Sequence, residues 1–87
     1  NGYLLDQFLR DGSNRRTGPY GGPIAHRARL LFEVVDAVVA VWGAGRVGLR
    51  ISPLNSFNDM KDSDPAGLTA YVAAETNRRA LAYLHMM

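Results

Sequence analysis

The sequence has 87 residues and a mass of 9.5 kDa, so it allows one small domain or one piece of a larger one. Apolar residues make up 47% and charged residues 21%, which is ordinary for a soluble globular protein and excludes disorder. The absence of cysteine excludes disulfides and thiolate metal sites. The longest apolar run, Ala37 to Trp42, is too short to cross a bilayer. We therefore expect a cytoplasmic protein with no membrane partner. Since the chain starts at Asn1 without a leader, we also expect it to come from the middle of a longer protein.

Arginine dominates the positive charge of this chain. The net charge is +2, and Lys61 is the one lysine among ten basic residues. Five arginines against Asp6 and Asp11 fall within the first 29 residues: Arg10, Arg15, Arg16, Arg27 and Arg29. Such an excess attracts anions, but we favour a solvated loop and helix start. Because no aromatic side chains interleave with these arginines, we expect no nucleic-acid partner.

The first 22 residues predict a short helical turn and a long loop. Residues 2–9 place apolar side chains around two polar positions, which indicates a strand exit followed by about one helical turn. Residues 11–22 are dense in Gly, Ser, Asn and Pro, and this composition is typical of a surface loop.

A long helix is predicted next, from Pro23 in its first turn to a stop at Gly43. Arg29 and Glu33 are spaced to form an ion pair on its polar side. Apolar residues recur at intervals of three and four and predict its buried stripe: Leu31, Val34, Val35, Val38, Val39 and Trp42.

The second half predicts a strand, a helix and another strand. Residues 46–53 alternate between apolar and small or polar positions, and Pro53 closes the strand. After a loop, Asp64 is the expected N-cap of a helix that runs from Pro65 to about Arg79. Residues 81–87 form the second strand. The order helix, strand, helix, strand predicts an α/β fold with right-handed crossovers and a parallel sheet.

Two motifs that suggest chemistry have simpler interpretations. A formal G-x-G-x-x-G at Gly43, Gly45 and Gly48 follows a helix and enters a strand, so the carbonyl end of the helix faces it and repels phosphate. We therefore interpret it as a helix stop. The two histidines, His26 and His85, have no cysteine partner, and no serine lies in a G-x-S-x-G elbow. We expect no metal site and no hydrolase.

Arg50 is the most informative charge. It lies in mid-strand, on the face opposite Val47, Leu49 and Ile51. In a barrel it would point inward, where an unpaired guanidinium is costly and needs an anion. That anion is a bound phosphate or electron-rich cofactor in one interpretation, and a carboxylate in an inter-strand ion pair in the other. The residues alone leave both interpretations open.

Five segments in matching order and spacing resemble the old yellow enzyme family. They are residues 1–9, residues 14–17 with 20–22, residues 27–30, residues 47–53 and residues 83–85. The resemblance implies a segment of a (β/α)8 TIM barrel that runs from the end of strand four through strand six, as one incomplete unit without a second domain. It also implies a part of an FMN-dependent oxidoreductase. Such an enzyme transfers hydride from NAD(P)H through FMN to a small-molecule substrate, which is an activated alkene or a nitro or nitrate ester compound.

Residue roles follow from the same resemblance. Tyr3 matches the tyrosine that donates a proton to the alkene, and Asn1 matches a residue that hydrogen-bonds the oxygen of the substrate. Arg50 matches the arginine beside the flavin, which favours the cofactor interpretation, and Phe57 is expected to line the substrate pocket. The family usually has glycine where this chain has Ala80, at a turn that favours a left-handed residue.

The isolated chain has a second interpretation. Strands with unpaired edges make a poor solitary fold. The 87 residues alone are therefore expected to be inactive. The alternative function is a non-catalytic αβαβ fragment that forms a homo-oligomer through its strand edges.

Overall fold

The helices and strands follow one another along the chain in the predicted order. A computed structural model describes residues 2–87. Helix α1 spans Leu4–Leu9, α2 spans Ile24–Arg27, α3 spans Arg29–Trp42 and α4 spans Pro65–Arg78. Strand β1 spans Gly48–Ile51 and strand β2 spans Tyr83–Met86, and short 3-10 turns cover Ala44–Arg46 and Phe57–Asp59. The two strands are parallel, with Gly48 opposite Tyr83 and Ile51 opposite Met86.

The predicted long helix is divided at Ala28. This residue stays in the right-handed region, with φ −80° and ψ −6°, and its N–H bonds the carbonyl of Ile24. Helix α3 ends at Gly43, where φ is +84° and the backbone N–H donates to the carbonyl of Val39. The glycine-rich motif is therefore a helix stop, as predicted.

The buried face of α3 differs from the predicted stripe. Leu31, Phe32 and Val35 are buried, whereas three residues of the predicted stripe are exposed: Val34, Val38 and Trp42. The ring of Phe32 packs edge-on against Tyr71 of α4, with centroids 6.4 Å apart, which turns this face toward α4. The valines of α3 lie on several sides of the helix, so its apolar pattern alone could not locate the packed face.

The hydrophobic core lies between the helices and one face of the strands. It joins α1, α3 and α4 to β1 through buried side chains: Leu9, Ala28, Leu31, Phe32, Val35, Ile51, Leu68 and Val72. Leu49 and Leu84 pack against this cluster from the two strands. One face of the strand pair is thus covered by helices from the same chain.

Helix α4 begins and ends as its sequence indicates. The carboxylate of Asp64 accepts the N–H of Gly67 at 3.0 Å, and Pro65 occupies the first turn. Beyond the last turn, Ala80 adopts φ +55°, the left-handed conformation expected for this turn.

A charged contact joins α4 to α3. The guanidinium of Arg79 donates to Asp36 at 2.6 Å and to Glu75 at 3.0 Å, and it lies 4.4 Å from the centre of the Phe32 ring. The hydrogen bond from Arg79 lowers the pKa of Asp36 below its ordinary value. Hydrogen bonds from Arg78 and then Arg79 lower the pKa of Glu75.

No helix in residues 2–87 is long and apolar enough to span a membrane.

Candidate functional site

The candidate site lies where the loop after β1 folds over the start of α1. The rings of Tyr3 and Phe57 meet edge-on, with centroids 6.0 Å apart and planes at 61°. Both side chains are exposed, Tyr3 by 64% and Phe57 by 51%. The structure therefore brings together two predicted site residues that are far apart in sequence. The third, Asn1, lies outside the described residues.

Gly2 allows this close approach. It has φ +77°, and a Cβ atom there would lie 2.9 Å from the carbonyl oxygen of Phe57. Its carbonyl accepts the side-chain amide of Asn58 at 3.0 Å, and its N–H donates to the carboxylate of Asp6 at 2.8 Å. Only glycine suits both this backbone angle and this spacing. Gly2 thus fixes the backbone directly before Tyr3.

Arg10 is a buried arginine that the sequence did not single out as a site residue. Its side chain is 1% exposed and pairs with Asp6 at 3.0 Å. It also donates to the backbone carbonyls of Ser52 and Asn55, in the segment that follows β1. The spacing of four residues between Asp6 and Arg10 was the available signal, since it suits an ion pair within a helix.

Arg50 lies on the face of β1 that the helices leave uncovered. It is exposed, sits opposite His85 in the strand register and contacts the sulfur of Met87. No carboxylate in residues 2–87 lies within ion-pair distance of its guanidinium, so the inter-strand ion pair that the sequence left open is not formed here. Arg50 and Asp6 both line a cavity of about 100 Å³ beside α1 and β1.

Two further polar residues near this face were not assigned to the site from the sequence. Tyr83 is 61% exposed, and a Cβ atom at Gly48 would lie 2.1 Å from its Cζ, so the tyrosine ring needs glycine beside it. The hydroxyl of Ser52 is buried and finds no hydrogen-bond partner within the described part of the chain. The alternation of β1 and β2 was the signal for this shared face.

A second buried arginine fixes the neighbouring loops. Arg27 is 5% exposed, pairs with Asp62 at 2.7 Å and donates to the carbonyls of Gly22 and Leu9. Nearby, Ser63 donates to the carboxylate of Asp11, and this hydrogen bond lowers the pKa of Asp11. The expectation of solvated arginines is therefore wrong for Arg10 and Arg27, because each has carbonyl and carboxylate partners.

The expected Arg29–Glu33 ion pair is replaced by contacts to the loop before the helix. Arg29 donates to the carbonyl of Pro19 at 2.7 Å, and Glu33 accepts the hydroxyl of Tyr20 at 2.7 Å. That hydrogen bond raises the pKa of Tyr20.

For metal binding, residues 2–87 contain no group of three or more His, Cys, Asp or Glu side chains that could hold an ion.

Comparisons with known proteins identify relatives of this chain. The family model described as NADH:flavin oxidoreductase / NADH oxidase family matches residues 1–87. The "Probable flavin mononucleotide-dependent alkene reductase" of Leishmania infantum is 59% identical over 87 residues, which are 100% of this chain and 24% of that protein. The 12-oxophytodienoate reductase 1 of Oryza sativa subsp. japonica is 48% identical over 88 residues, 100% of this chain and 23% of that protein.

A solved structure shows the same fold. Morphinone reductase in complex with tetrahydroNAD superposes with a TM-score of 0.93 and 49% identity, covering 95% of this chain and 23% of that one. The chain therefore spans less than a quarter of the length of these relatives.

The fold is that of an incomplete piece of a (β/α)8 barrel. The chain belongs to the NADH:flavin oxidoreductase / NADH oxidase family, the old yellow enzymes.

The residues present suit the flavin that this family implies. An exposed guanidinium with no carboxylate partner in the described residues fits a planar, electron-rich edge that gains negative charge. Gly48, two positions before Arg50 in the same strand, adds no side chain of its own to this face. Among the described residues, the chemistry of Arg50 is accordingly compatible with FMN.

Proposed function

We propose that this chain is the part of an FMN-dependent ene-reductase that runs from the end of barrel strand four through strand six. The substrate would be a small molecule with an activated alkene, or a nitro or nitrate ester compound. When bound, FMN would supply the redox chemistry, which is hydride transfer between NAD(P)H and the substrate. The observation that carries this proposal is the exposed phenol of Tyr3, packed edge-on against Phe57 at the carboxyl end of β1.

Tyr3 is the proposed proton donor. A phenol is neutral at working pH and can deliver a proton into a pocket from which water is excluded. In alkene reduction, one alkene carbon receives hydride and the other needs a proton, which the Tyr3 hydroxyl would supply. The contacts of Gly2 hold the backbone before this residue, so its placement is set by the fold.

The remaining site residues would bind the cofactor and orient the substrate. The Arg50 guanidinium would lie beside the pyrimidine edge of the flavin and stabilise its negative charge when reduced. Phe57 would line the substrate pocket beside the Tyr3 ring. Asn1 would donate a hydrogen bond to the carbonyl or nitro oxygen of the substrate.

The test separates the two half-reactions of the complete flavoenzyme that contains this chain. Removing one hydroxyl by Tyr3→Phe should slow alkene reduction by about 100-fold or more, since positioned proton transfer contributes that much. Reduction of the flavin by NAD(P)H should change by less than about twofold, because that step needs no proton from Tyr3. Stopped-flow absorbance of the flavin measures both rates.

A matched control is Tyr71→Phe, which removes the same atom from a half-buried tyrosine that packs on Phe32. Neither half-reaction should respond to it. Equal losses in both half-reactions of Tyr3→Phe would contradict the role of Tyr3 as a proton donor.

A further inference from the structure

Arg10 joins α1 to the segment after β1 through one buried guanidinium. Its Nε and Nη2 donate to the carboxylate of Asp6, at 3.0 and 3.1 Å. Its Nη1 donates to the carbonyl of Asn55, and its Nη2 also donates to the carbonyl of Ser52. A guanidinium holds its donors in one rigid plane, whereas the ammonium of lysine is a single point of charge. These partners are therefore held at a spacing that lysine could not maintain.

One end of this contact leads to Tyr3. The carboxylate of Asp6 that binds Arg10 also accepts the N–H of Gly2 at 2.8 Å. Gly2 directly precedes Tyr3, and the carbonyl of Tyr3 accepts the N–H of Gln7 at 2.7 Å. Asp6 is shared between the arginine and the backbone before the proposed proton donor, so a shift of Arg10 shifts that backbone.

The other end leads to Phe57. The carbonyl of Asn55 accepts from Arg10, while the side chain of the same asparagine accepts the N–H of Phe57 at 2.7 Å. The ring of Phe57 in turn meets the ring of Tyr3. The two halves of the candidate site therefore touch at their rings and at the Gly2–Asn58 hydrogen bond, and Arg10 also joins them.

We propose that Arg10, together with Asp6, is a positioning residue that sets the Tyr3 hydroxyl against the substrate-binding wall at Phe57. This inference rests on the proposed function of Tyr3 as proton donor. Arg10 itself is buried and does not touch substrate. It acts through the backbone on both sides of the site.

A double-mutant cycle on the complete flavoenzyme tests the proposal. Arg10→Lys keeps the charge beside Asp6 and removes the planar set of donors. With Tyr3 present it should slow alkene reduction about tenfold, and in the Tyr3→Phe background by less than about twofold, since a misplaced donor matters only while it donates. Flavin reduction by NAD(P)H should change little in either background.

The control is Arg27→Lys, which alters the other buried arginine with a carboxylate and two carbonyl partners. It should lower the melting temperature as Arg10→Lys does, and its effect on alkene reduction should be the same with and without Tyr3→Phe. If Arg10→Lys does not fold with flavin bound, Asp6→Asn replaces it in the cycle, because asparagine keeps the shape and removes the charge.

Two results would overturn the proposal, and they can be told apart. Equal effects of the Arg10 or Asp6 variant in both Tyr3 backgrounds would show that the contact between Arg10 and Asp6 is only structural. The proposed function would then stay intact. A normal rate of alkene reduction in Tyr3→Phe alone would remove the proposed proton donor, and this inference with it.

Discussion

The two faces of the strand pair perform different tasks with neighbouring residues. On one face, Leu49, Ile51 and Leu84 pack against helices of the same chain. On the other face, Arg50 and Tyr83 are exposed. Successive residues of β1 therefore alternate between holding the fold and offering chemical groups. Helices of this segment therefore cover one face of the strand pair, and the face that carries Arg50 and Tyr83 is left uncovered.

The largest expected effect lies on the covered face. Ile51→Ala removes three buried carbon atoms and leaves a cavity, so it should lower the free energy of unfolding of the complete apoenzyme by about 2–5 kcal/mol. Ile51→Val should cost about 0.5–1.5 kcal/mol. Denaturant titrations followed by circular dichroism would measure both. A loss for Ile51→Ala no greater than that for Ile51→Val would show that this face does not carry the stability.

The next effect concerns the uncovered face and should appear in cofactor affinity instead of stability. Arg50→Met keeps much of the side-chain volume and removes the charge. A hydrogen bond to a charged group contributes about 1.5–3 kcal/mol, so the Kd of FMN should rise roughly 10-fold to 100-fold. Fluorescence titration of the apoenzyme with FMN measures this. Arg46→Met, four positions earlier and outside the strand, should leave the Kd unchanged, and equal losses in both variants would contradict the assignment.

The smallest expected effect lies in the turn before β2, the strand that has residues on both faces of the strand pair. Ala80 has φ +55°, where glycine carries no steric cost, so Ala80→Gly should raise the free energy of unfolding by about 1 kcal/mol. Ala74→Gly, at an exposed site within α4, should lower it by about the same amount. Thermal unfolding of the complete enzyme gives both signs. A destabilising Ala80→Gly would show that the left-handed turn is not a source of strain.

Local chemistry made several features predictable from sequence. The Asp64 cap and the Gly43 stop each depend on a residue and its immediate neighbours, whereas the left-handed conformation of Ala80 was expected from the family resemblance. The parallel strand order followed from alternating helices and strands. The family resemblance indicated Tyr3 as a site residue before its surroundings were known.

The remaining features depend on distant partners. Burial of Arg10 requires carbonyls 42 and 45 positions away, which no local pattern reveals. The predicted buried stripe of α3 was wrong at Val34, Val38 and Trp42, because α4 determines which side of the valine-rich helix is covered. The roles of Asn1, Tyr3, Arg50 and Phe57 stay predictions, as do the self-association and inactivity of the isolated chain.

The Arg10 contact also has a consequence for the order of folding. As the protein is synthesised, α1 leaves the ribosome before the carbonyls of Ser52 and Asn55 exist, so the guanidinium stays hydrated at first. Its burial closes a loop of more than 40 residues and follows the pairing of local elements. Contacts made this late oppose unfolding more than they speed folding. The arginine that we propose as a positioning residue would thus also slow the unfolding of the finished enzyme.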